Sequence, residues 1–171
     1  MDFLASIHMQ GSLGTLPGLD IGVGAGLGLS GQHWRIELRG TYGLRQDQVA
    51  KAATPPGAHG QFNFLAGAVA GCFNLGQAAL AFGPCADAEL GVVSAKGFGS
   101  SVAYSARTTW LALGAGGYMA IQIGPRLSIP LQLDILVSLR CPEYIIKDVG
   151  GSVYQAPSVC GRLRAGIELR F

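Results

Sequence analysis

Residues that could carry out nucleophilic or acid–base chemistry are few and lie far apart in this sequence. The histidines are His8, His33 and His59. Nucleophilic catalysis needs a serine hydroxyl within hydrogen-bond reach of a histidine, which an acid must orient. Only His59 falls at the edge of a predicted long loop, where Ser100, Ser101 and Ser105 could approach it. Loop serines are ordinarily solvent-facing residues and acids are scarce nearby, so we predict no catalytic residues.

Four cysteines are present: Cys72, Cys85, Cys141 and Cys160. They form no Cys-x-x-Cys motif and have no histidine at ligand spacing, so the sequence predicts neither a metal site nor a cofactor. In an oxidising compartment the simplest pairings are 72 with 85 and 141 with 160, because each couple brackets a candidate hairpin. Buried free thiols are the alternative.

Ten charged residues are the most conspicuous constellation, because most of them recur at alternate positions of short stretches. They are Arg35, Glu37, Arg39, Asp87, Glu89, Asp134, Arg162, Arg164, Glu168 and Arg170. Such a set inside a barrel would form either a narrow ion path or a plug of ion pairs. We favour the plug, because these side chains would fill a small barrel and leave no continuous column of water. The expected pairs are Arg35 or Arg39 with acids on strands beside Glu37, and Arg162 or Arg164 with Asp134.

Composition indicates the environment of these residues. The 171 residues are 49% apolar and 13% charged, with 27 glycines and a formal net charge of +2. Globular chains usually have about 25% charged residues, so this chain has too little polar surface for an ordinary soluble enzyme. The small, scattered net charge does not indicate a nucleic-acid partner. The first thirty residues contain no lysine or arginine and do not resemble a signal peptide.

Alternation with a period of two is the dominant pattern and predicts β-strands. The odd positions from Leu127 to Leu139 are all Leu, Ile or Val, whereas the even positions are mainly polar. The stretches Trp34 to Leu44 and Leu163 to Phe171 repeat this pattern, which a helix would scatter around its circumference. No stretch reaches 18 consecutive apolar residues, which argues against membrane helices. Eight strands are predicted, near residues 3–14, 18–30, 33–45, 60–73, 79–95, 107–123, 126–140 and 159–171.

The apolar face of each strand is predicted to point outward and the polar face inward. On the fourth strand the even residues from Phe62 to Ala70 are assigned to the outward face, opposite Gln61 and Asn63. On the second strand the even glycines from Gly22 to Gly28 are assigned to the interior, where they would make room for neighbouring arginines. These faces place Cys72 outward and Cys85 inward. Either the cysteines lie beyond the regular ladder, or bulges at Gly83-Pro84 and near Pro142 shift its phase.

The connections also alternate in length. Those after the second, fourth and sixth strands are short, whereas loops 46–59, 96–106 and 141–158 are longer and contain all three lysines, Lys51, Lys96 and Lys147. Short turns at one rim and longer loops at the other are typical of outer-membrane barrels. Aromatic girdles are expected from Trp34 and Phe171 at the turn rim, and from Tyr42 and Phe62 at the loop rim.

A soluble barrel is the main alternative, because a lipocalin-like carrier shows the same alternation with its apolar face turned inward around a ligand. We favour the membrane arrangement since the charges of the polar face nearly balance, as buried charges require and solvated ones do not.

The closing stretch, Leu163 to Phe171, alternates and ends in phenylalanine. It resembles the terminal-strand signal of bacterial outer-membrane proteins, and the whole chain resembles the small OmpA- and OmpX-like barrels. The resemblance implies one all-β domain over residues 1–171, an eight-stranded antiparallel up-and-down transmembrane barrel in the bacterial outer membrane. Its implied partners are outer-membrane lipid and the barrel assembly machinery, which would read Phe171, and the protein is expected to be monomeric.

The expected role is that of a non-enzymatic anchor or surface-loop scaffold with a polar, plugged interior. Two alternatives stay open. One is the soluble carrier of a lipid-like ligand. The other is a lipid-modifying enzyme with serine and histidine at the outer rim, as some barrels of this kind have.

Overall fold

The computed structural model describes residues 1–16, 18–49, 59–76, 79–98, 105–140, 143–146, 151–155 and 157–171. Side chains are described in these ranges except at 46–49, 59–60, 97–98, 143–146 and 151–155.

Ten strands form the described part of the chain. They are β1 (Asp2–Leu13), β2 (Leu19–Ser30), β3 (Trp34–Val49), β4 (His59–Phe73), β5 (Leu80–Phe98), β6 (Ser105–Gln122), β7 (Leu127–Arg140), β8 (Glu143–Ile146), β9 (Gly151–Gln155) and β10 (Val159–Arg170). Eight of them close an antiparallel barrel in the order β1-β10-β7-β6-β5-β4-β3-β2. The eight predicted barrel strands are thereby confirmed, whereas β8 and β9, which pair with each other inside the third long loop, were not among the predicted strands.

Alternating burial along each strand separates an apolar exterior from a polar interior. On β7, Leu131, Leu133 and Ile135 are exposed, while Gln132 and Asp134 between them are buried. Successive side chains of a strand point to opposite faces, so a period of two in the sequence becomes two surfaces of the barrel wall. Among the described residues, no helix is long and apolar enough to cross a bilayer.

The barrel wall is taller on one side than on the other. Strands β3 to β6 have 15 to 19 residues, whereas β1, β2 and β10 have 12 each. The tall strands continue into the predicted loops, so Lys96 lies in β5 opposite Ser105 and its assignment to a loop was wrong. Lys51 and Lys147 lie outside the described residues.

The predicted orientation of β4 was also wrong. Its even residues, including Phe64 and Ala68, face the interior, and Leu65 and Val69 face outward. Phe62 is likewise buried, so it does not contribute to an outer aromatic girdle. Register explains the difference, because the even residues of β4 lie opposite the inward residues of β3. Alanine on this face leaves room for the long side chains of β3.

The corrected orientation of β4 removes the conflict at the cysteines. Cys72 and Cys85 lie directly opposite each other on β4 and β5, both face the interior, and they form a disulfide. The predicted bulge at Gly83-Pro84 is absent from the described ladder, which runs in register through both residues. Cys160 faces the interior, whereas Cys141 lies outside the described residues, so their pairing stays a prediction.

Candidate functional site

The candidate site is the barrel interior, where strands β3, β5, β7 and β10 place all ten predicted charged residues. Nine are buried, and Arg170 at the turn rim is partly exposed, with 24% of its side-chain surface accessible. Residues two positions apart on one strand share a face, so Arg35, Glu37 and Arg39 project inward together. The structure therefore places these residues in the lumen of the barrel.

Glu37 is the centre of the ion-pair group nearer the turn rim. Its carboxylate accepts from Arg35 Nη2 and Arg39 Nη2, each at 2.8 Å. Ser6 Oγ donates to the other carboxylate oxygen. The sequence prediction placed the partners of these arginines on neighbouring strands, but Glu37 itself, two positions away, is their shared acceptor because all three residues point inward.

Glu168 connects this group to the terminal strand. It forms ion pairs with Arg35 and with Arg170 Nε, the latter at 3.0 Å. Ser128 Oγ donates to the same carboxylate at 3.1 Å. Arg35 also lies over the ring of Tyr118, 5.3 Å from its centroid, which is within cation–π distance.

A second ion-pair group lies nearer the loop rim. Both terminal nitrogens of Arg162 donate to the carboxylate of Glu89, giving a bidentate pair. Trp110 Nε1 donates to Glu89 at 2.9 Å. Arg164 lies between two acids, Asp134 at 2.9 Å and Asp87 at 3.4 Å.

The predicted partner Asp134 therefore belongs to Arg164 and not to Arg162. Arg162 lies opposite Asp134 in the β10–β7 register, yet its guanidinium reaches Glu89 of β5. Gln132 Nε2 donates to Asp134 at 2.8 Å, so this carboxylate is held by an amide as well as by a cation. Sequence cannot distinguish these choices, because they depend on which side chains meet across the lumen.

Apolar residues close the loop end of the lumen, and the sequence analysis missed them. Leu16, in the connection between β1 and β2, is only 2% exposed and packs in a buried cluster with Phe64, Trp110 and Leu136. Positive φ angles at Gly14 and Gly18 turn this connection back over the barrel mouth. The sequence signal for this arrangement was the placement of Gly14 and Gly18 on either side of Leu16.

The turn end of the lumen contains a second apolar group. The disulfide cysteines pack with Tyr118 and Ala120. The two apolar clusters thus lie toward opposite ends of the described interior, with the ionic groups between them.

Small residues create the space for the inward acids. A Cβ on Gly26 would collide with the carboxylate of Glu37, and a Cβ on Gly114 would collide with that of Asp87. The even glycines of β2 were predicted to make room for arginines, and Arg39 does lie opposite Gly26 in the register, but the closest contacts at these glycines are with other groups. The nearest atoms at these four positions belong to the backbone or to Gln10, Thr41, His8, Ser6 and Glu37. The acids have short side chains and must approach the wall closely, whereas an arginine can extend away from it.

Catalytic chemistry has little support in this geometry. His8 faces the lumen, where its Nε2 lies 3.3 Å from Thr41 Oγ1. The side chains of His59, Ser100 and Ser101 lie outside those described, so a serine–histidine site at the loop rim stays untested. Within the described residues, no group of three or more His, Cys, Asp or Glu is arranged to hold a metal ion.

Comparison with known proteins identifies the fold. No family model and no curated protein sequence matches the chain. Among solved structures, a major outer membrane protein from Thermus thermophilus aligns with a TM-score of 0.64 and 14% identity, covering 98% of this chain and 99% of that one. Neisserial surface protein A aligns with a TM-score of 0.56 and 13% identity, covering 99% and 96%. Outer membrane protein H of P. aeruginosa gives 0.56 and 13%, covering both chains fully.

These similarities are to small outer-membrane barrels over essentially the whole chain, at identities that show the fold alone. The chain has the fold of an eight-stranded antiparallel transmembrane β-barrel, and the predicted resemblance to this type of barrel is confirmed.

Proposed function

We propose that this protein is an integral protein of the bacterial outer membrane whose barrel is a non-conducting, non-enzymatic anchor for its extramembrane loops. The observation that carries the proposal is the division of the wall into an apolar exterior and an interior that contains buried, paired charges. Hydrocarbon outside and ion pairs inside are what a small transmembrane barrel requires.

The exterior supports a lipid surrounding. Large apolar side chains are exposed on every barrel strand, among them Ile7 on β1, Leu27 on β2, Leu38 on β3 and Leu133 on β7. A soluble barrel would turn these residues inward around its ligand. The soluble lipid carrier is therefore the wrong alternative, because the described lumen contains ion pairs where an apolar ligand would lie.

The interior supports a plugged barrel. Arg162 and Glu89 meet beneath the apolar cluster of Leu16 and Trp110, so their paired charges and the cluster occupy the loop end of the lumen. A conducting path would need a continuous hydrated column, and packed ion pairs of this kind interrupt it. The long connections between β3 and β4, between β5 and β6 and between β7 and β10 would then carry the function, as binding loops do on a rigid scaffold.

Assembly and oligomeric state belong to the same proposal. Phe171 is exposed at the end of the terminal strand, where its backbone exchanges hydrogen bonds with Phe3 at 3.0 and 3.2 Å. This position, at the seam between β10 and β1, suits recognition of Phe171 by the barrel assembly machinery. We propose that the finished barrel is monomeric, since its closed sheet leaves no unpaired barrel edge.

Refolding and conductance test the proposal together. The urea-unfolded protein, diluted into detergent or lipid vesicles, is expected to fold and to migrate differently on a gel before and after boiling. In planar bilayers the folded protein should give no stable conductance. A protein that stays folded and dispersed in plain buffer, or a steady single-channel current, would refute it. A mass change of lipid A upon expression would instead favour the rim-sited enzyme.

A further inference from the structure

A row of polar side chains lies on the outer face of the tall wall, just beyond its apolar belt on the loop side. It consists of Arg45 on β3, Gln61 and Asn63 on β4, Ser94 and Lys96 on β5, and Arg107 on β6. The three cations are exposed, and the other three side chains are partly exposed. This row is not part of the lumen.

Strand geometry places the row at the boundary between hydrocarbon and water. On β5 every outward residue from Phe82 to Val92 is apolar, and Ser94 and Lys96 follow. At about 3.3 Å per residue and a tilt of about 45°, that apolar stretch rises about 23 Å along the barrel axis. The apolar band of such barrels is about 25 Å tall, so Lys96 lies at the level of lipid headgroups.

Register brings the three cations together around one amide. Lys96 lies directly opposite Gln61, whose Oε1 accepts from Arg45 Nη2. Arg107 lies opposite Ser94, two residues from Lys96. Diagonal neighbours of this kind are about 7 to 8 Å apart, a distance that long side chains can bridge. One small multivalent anion could therefore contact all three cations.

The row contains three cations, and among the described strand positions beside it one acid, Asp47, lies opposite Gln61 in the register. The acids of the lumen project to the opposite face of the wall, where arginines already pair with them. One acid cannot balance three cations, so the row keeps a net positive charge. Like charges that lie close together destabilise a sheet unless a counter-charge joins them.

The opposite side of the barrel lacks this arrangement. The outward positions near the loop-side ends of β1, β2 and β10 are Leu13, Leu19 and Val159, all apolar and exposed, whereas β7 ends in the exposed Arg140, which lies opposite the outward Leu111 of β6. The cationic row thus lies on the tall side of the wall, and Arg140 on the adjoining β7 is a further exposed cation on the loop side.

We propose that Arg45, Lys96 and Arg107 bind the phosphate-bearing headgroup of an anionic lipid in the leaflet on the loop side. An arginine supplies a planar fork of donors for phosphate oxygens, and a lysine supplies a compact charge. The inference rests on the proposed function, because it requires the apolar belt to lie in hydrocarbon.

Titration with phosphatidic acid tests the inference on the folded protein in neutral detergent. Native mass spectrometry measures the dissociation constant of phosphatidic acid. Phosphatidylcholine, which has no net charge, is the control lipid. The wild-type protein should bind phosphatidic acid in preference to phosphatidylcholine. Each of Arg45→Gln, Lys96→Gln and Arg107→Gln should weaken that binding about fivefold, the effect of one basic side chain beside anionic headgroups. Arg126→Gln, at the turn rim, is the matched control and should leave it unchanged.

Three results would overturn the inference. The first is equal binding of phosphatidic acid by the wild-type protein and by the variant that combines Arg45→Gln, Lys96→Gln and Arg107→Gln. The second is displacement of phosphatidic acid by excess inorganic phosphate. The third is binding that appears only in Asp47→Asn, which would make Asp47 the counter-ion of the row. Heat-modifiable migration is recorded for every variant. If the wild-type protein does not fold in detergent, the proposed function fails. If it folds but does not discriminate between the two lipids, only the lipid site fails.

Discussion

At the scale of single residues, the lumen is stable only because each buried guanidinium meets a carboxylate. Arg35, Arg39, Arg162 and Arg164 are all buried, and each forms at least one ion pair. A charge moved from water into the protein loses its hydration, and only a well-placed partner with further hydrogen bonds compensates. A shared acceptor such as Glu37 therefore contributes more to the stability of the barrel than a carboxylate that pairs with one arginine.

Glu37→Gln should destabilise the barrel strongly, because two arginines lose their common counter-charge while staying buried. Removing one partner of a buried pair costs about 3 to 5 kcal/mol. Urea titration in lipid vesicles measures the free energy of unfolding. Asp2→Asn is the control, since Asp2 is exposed at the turn rim, and should change it by less than about 0.5 kcal/mol. A loss below about 1 kcal/mol for Glu37→Gln would show that the lumen is hydrated enough to solvate both arginines.

Gly114→Ala and Gly117→Ala form a matched pair on β6. The added methyl at 114 would collide with the carboxylate of Asp87, while nothing lies within 4 Å of the position that it would take at 117. We expect Gly114→Ala to cost about 1 to 3 kcal/mol through overpacking, and Gly117→Ala to cost less than about 0.5 kcal/mol. The same urea titration compares them. Equal effects would contradict close packing of Asp87 against the wall.

At the scale of strands, the orientation of a strand could be predicted from the sequence where its two faces differ clearly in polarity. β7 and β10 alternate aliphatic with polar residues, so their strands and orientations could be predicted from the sequence. β4 is apolar or small on both faces, with Phe and Ala on one and Leu, Val and Gly on the other, and only its register against β3 determines which face is inward. Which arginine pairs with which acid could not be predicted, because Arg162 and Glu89 come from strands that are not neighbours in the sheet.

The disulfide should stabilise the β4–β5 hairpin. Closing a loop of 13 residues restricts the unfolded chain and contributes about 3 kcal/mol. Cys72→Ala with Cys85→Ala should therefore lower the free energy of unfolding by about 2 to 4 kcal/mol. Reductant should have the same effect on the wild-type protein. If reductant leaves the wild-type protein unchanged, the bond contributes nothing to its stability. Mass spectrometry without reductant also tests the predicted pairing of Cys141 with Cys160.

Leu133→Arg should be costly in a bilayer and Leu139→Arg should not. Both leucines are exposed on β7, but Leu133 lies near the middle of the strand and Leu139 lies near its loop end. Arginine facing hydrocarbon costs about 2 to 4 kcal/mol at the midplane and about 0 to 1 kcal/mol near the interface. Unfolding free energies in vesicles measure both. Equal tolerance of the two substitutions would contradict the assigned membrane depth.

At the scale of the whole molecule, a charged lumen inside an apolar belt accounts for the low content of charged residues. With only 13% charged residues, the chain pairs most of its described acids inside a narrow lumen and leaves an apolar belt outside. The tall wall from β3 to β6 raises part of the sheet above that belt and places the cationic row at the headgroup level. The barrel thus has a tall side that can contact charged lipid, whereas β1, β2 and β10 are apolar up to their loop-side ends.

The two tryptophans test directly which face meets hydrocarbon. Trp34 is 38% exposed on the outer face near the turn rim, and Trp110 is 0% exposed in the lumen. Tryptophan fluorescence is measured in vesicles whose lipids carry bromine in the upper part of the acyl chains, for the wild-type protein and for Trp34→Phe. The account predicts that bromine quenches part of the wild-type emission and leaves the emission of Trp34→Phe, which arises from Trp110 alone, unchanged. Quenching of Trp110 by the brominated lipid, with no contribution from Trp34, would contradict it.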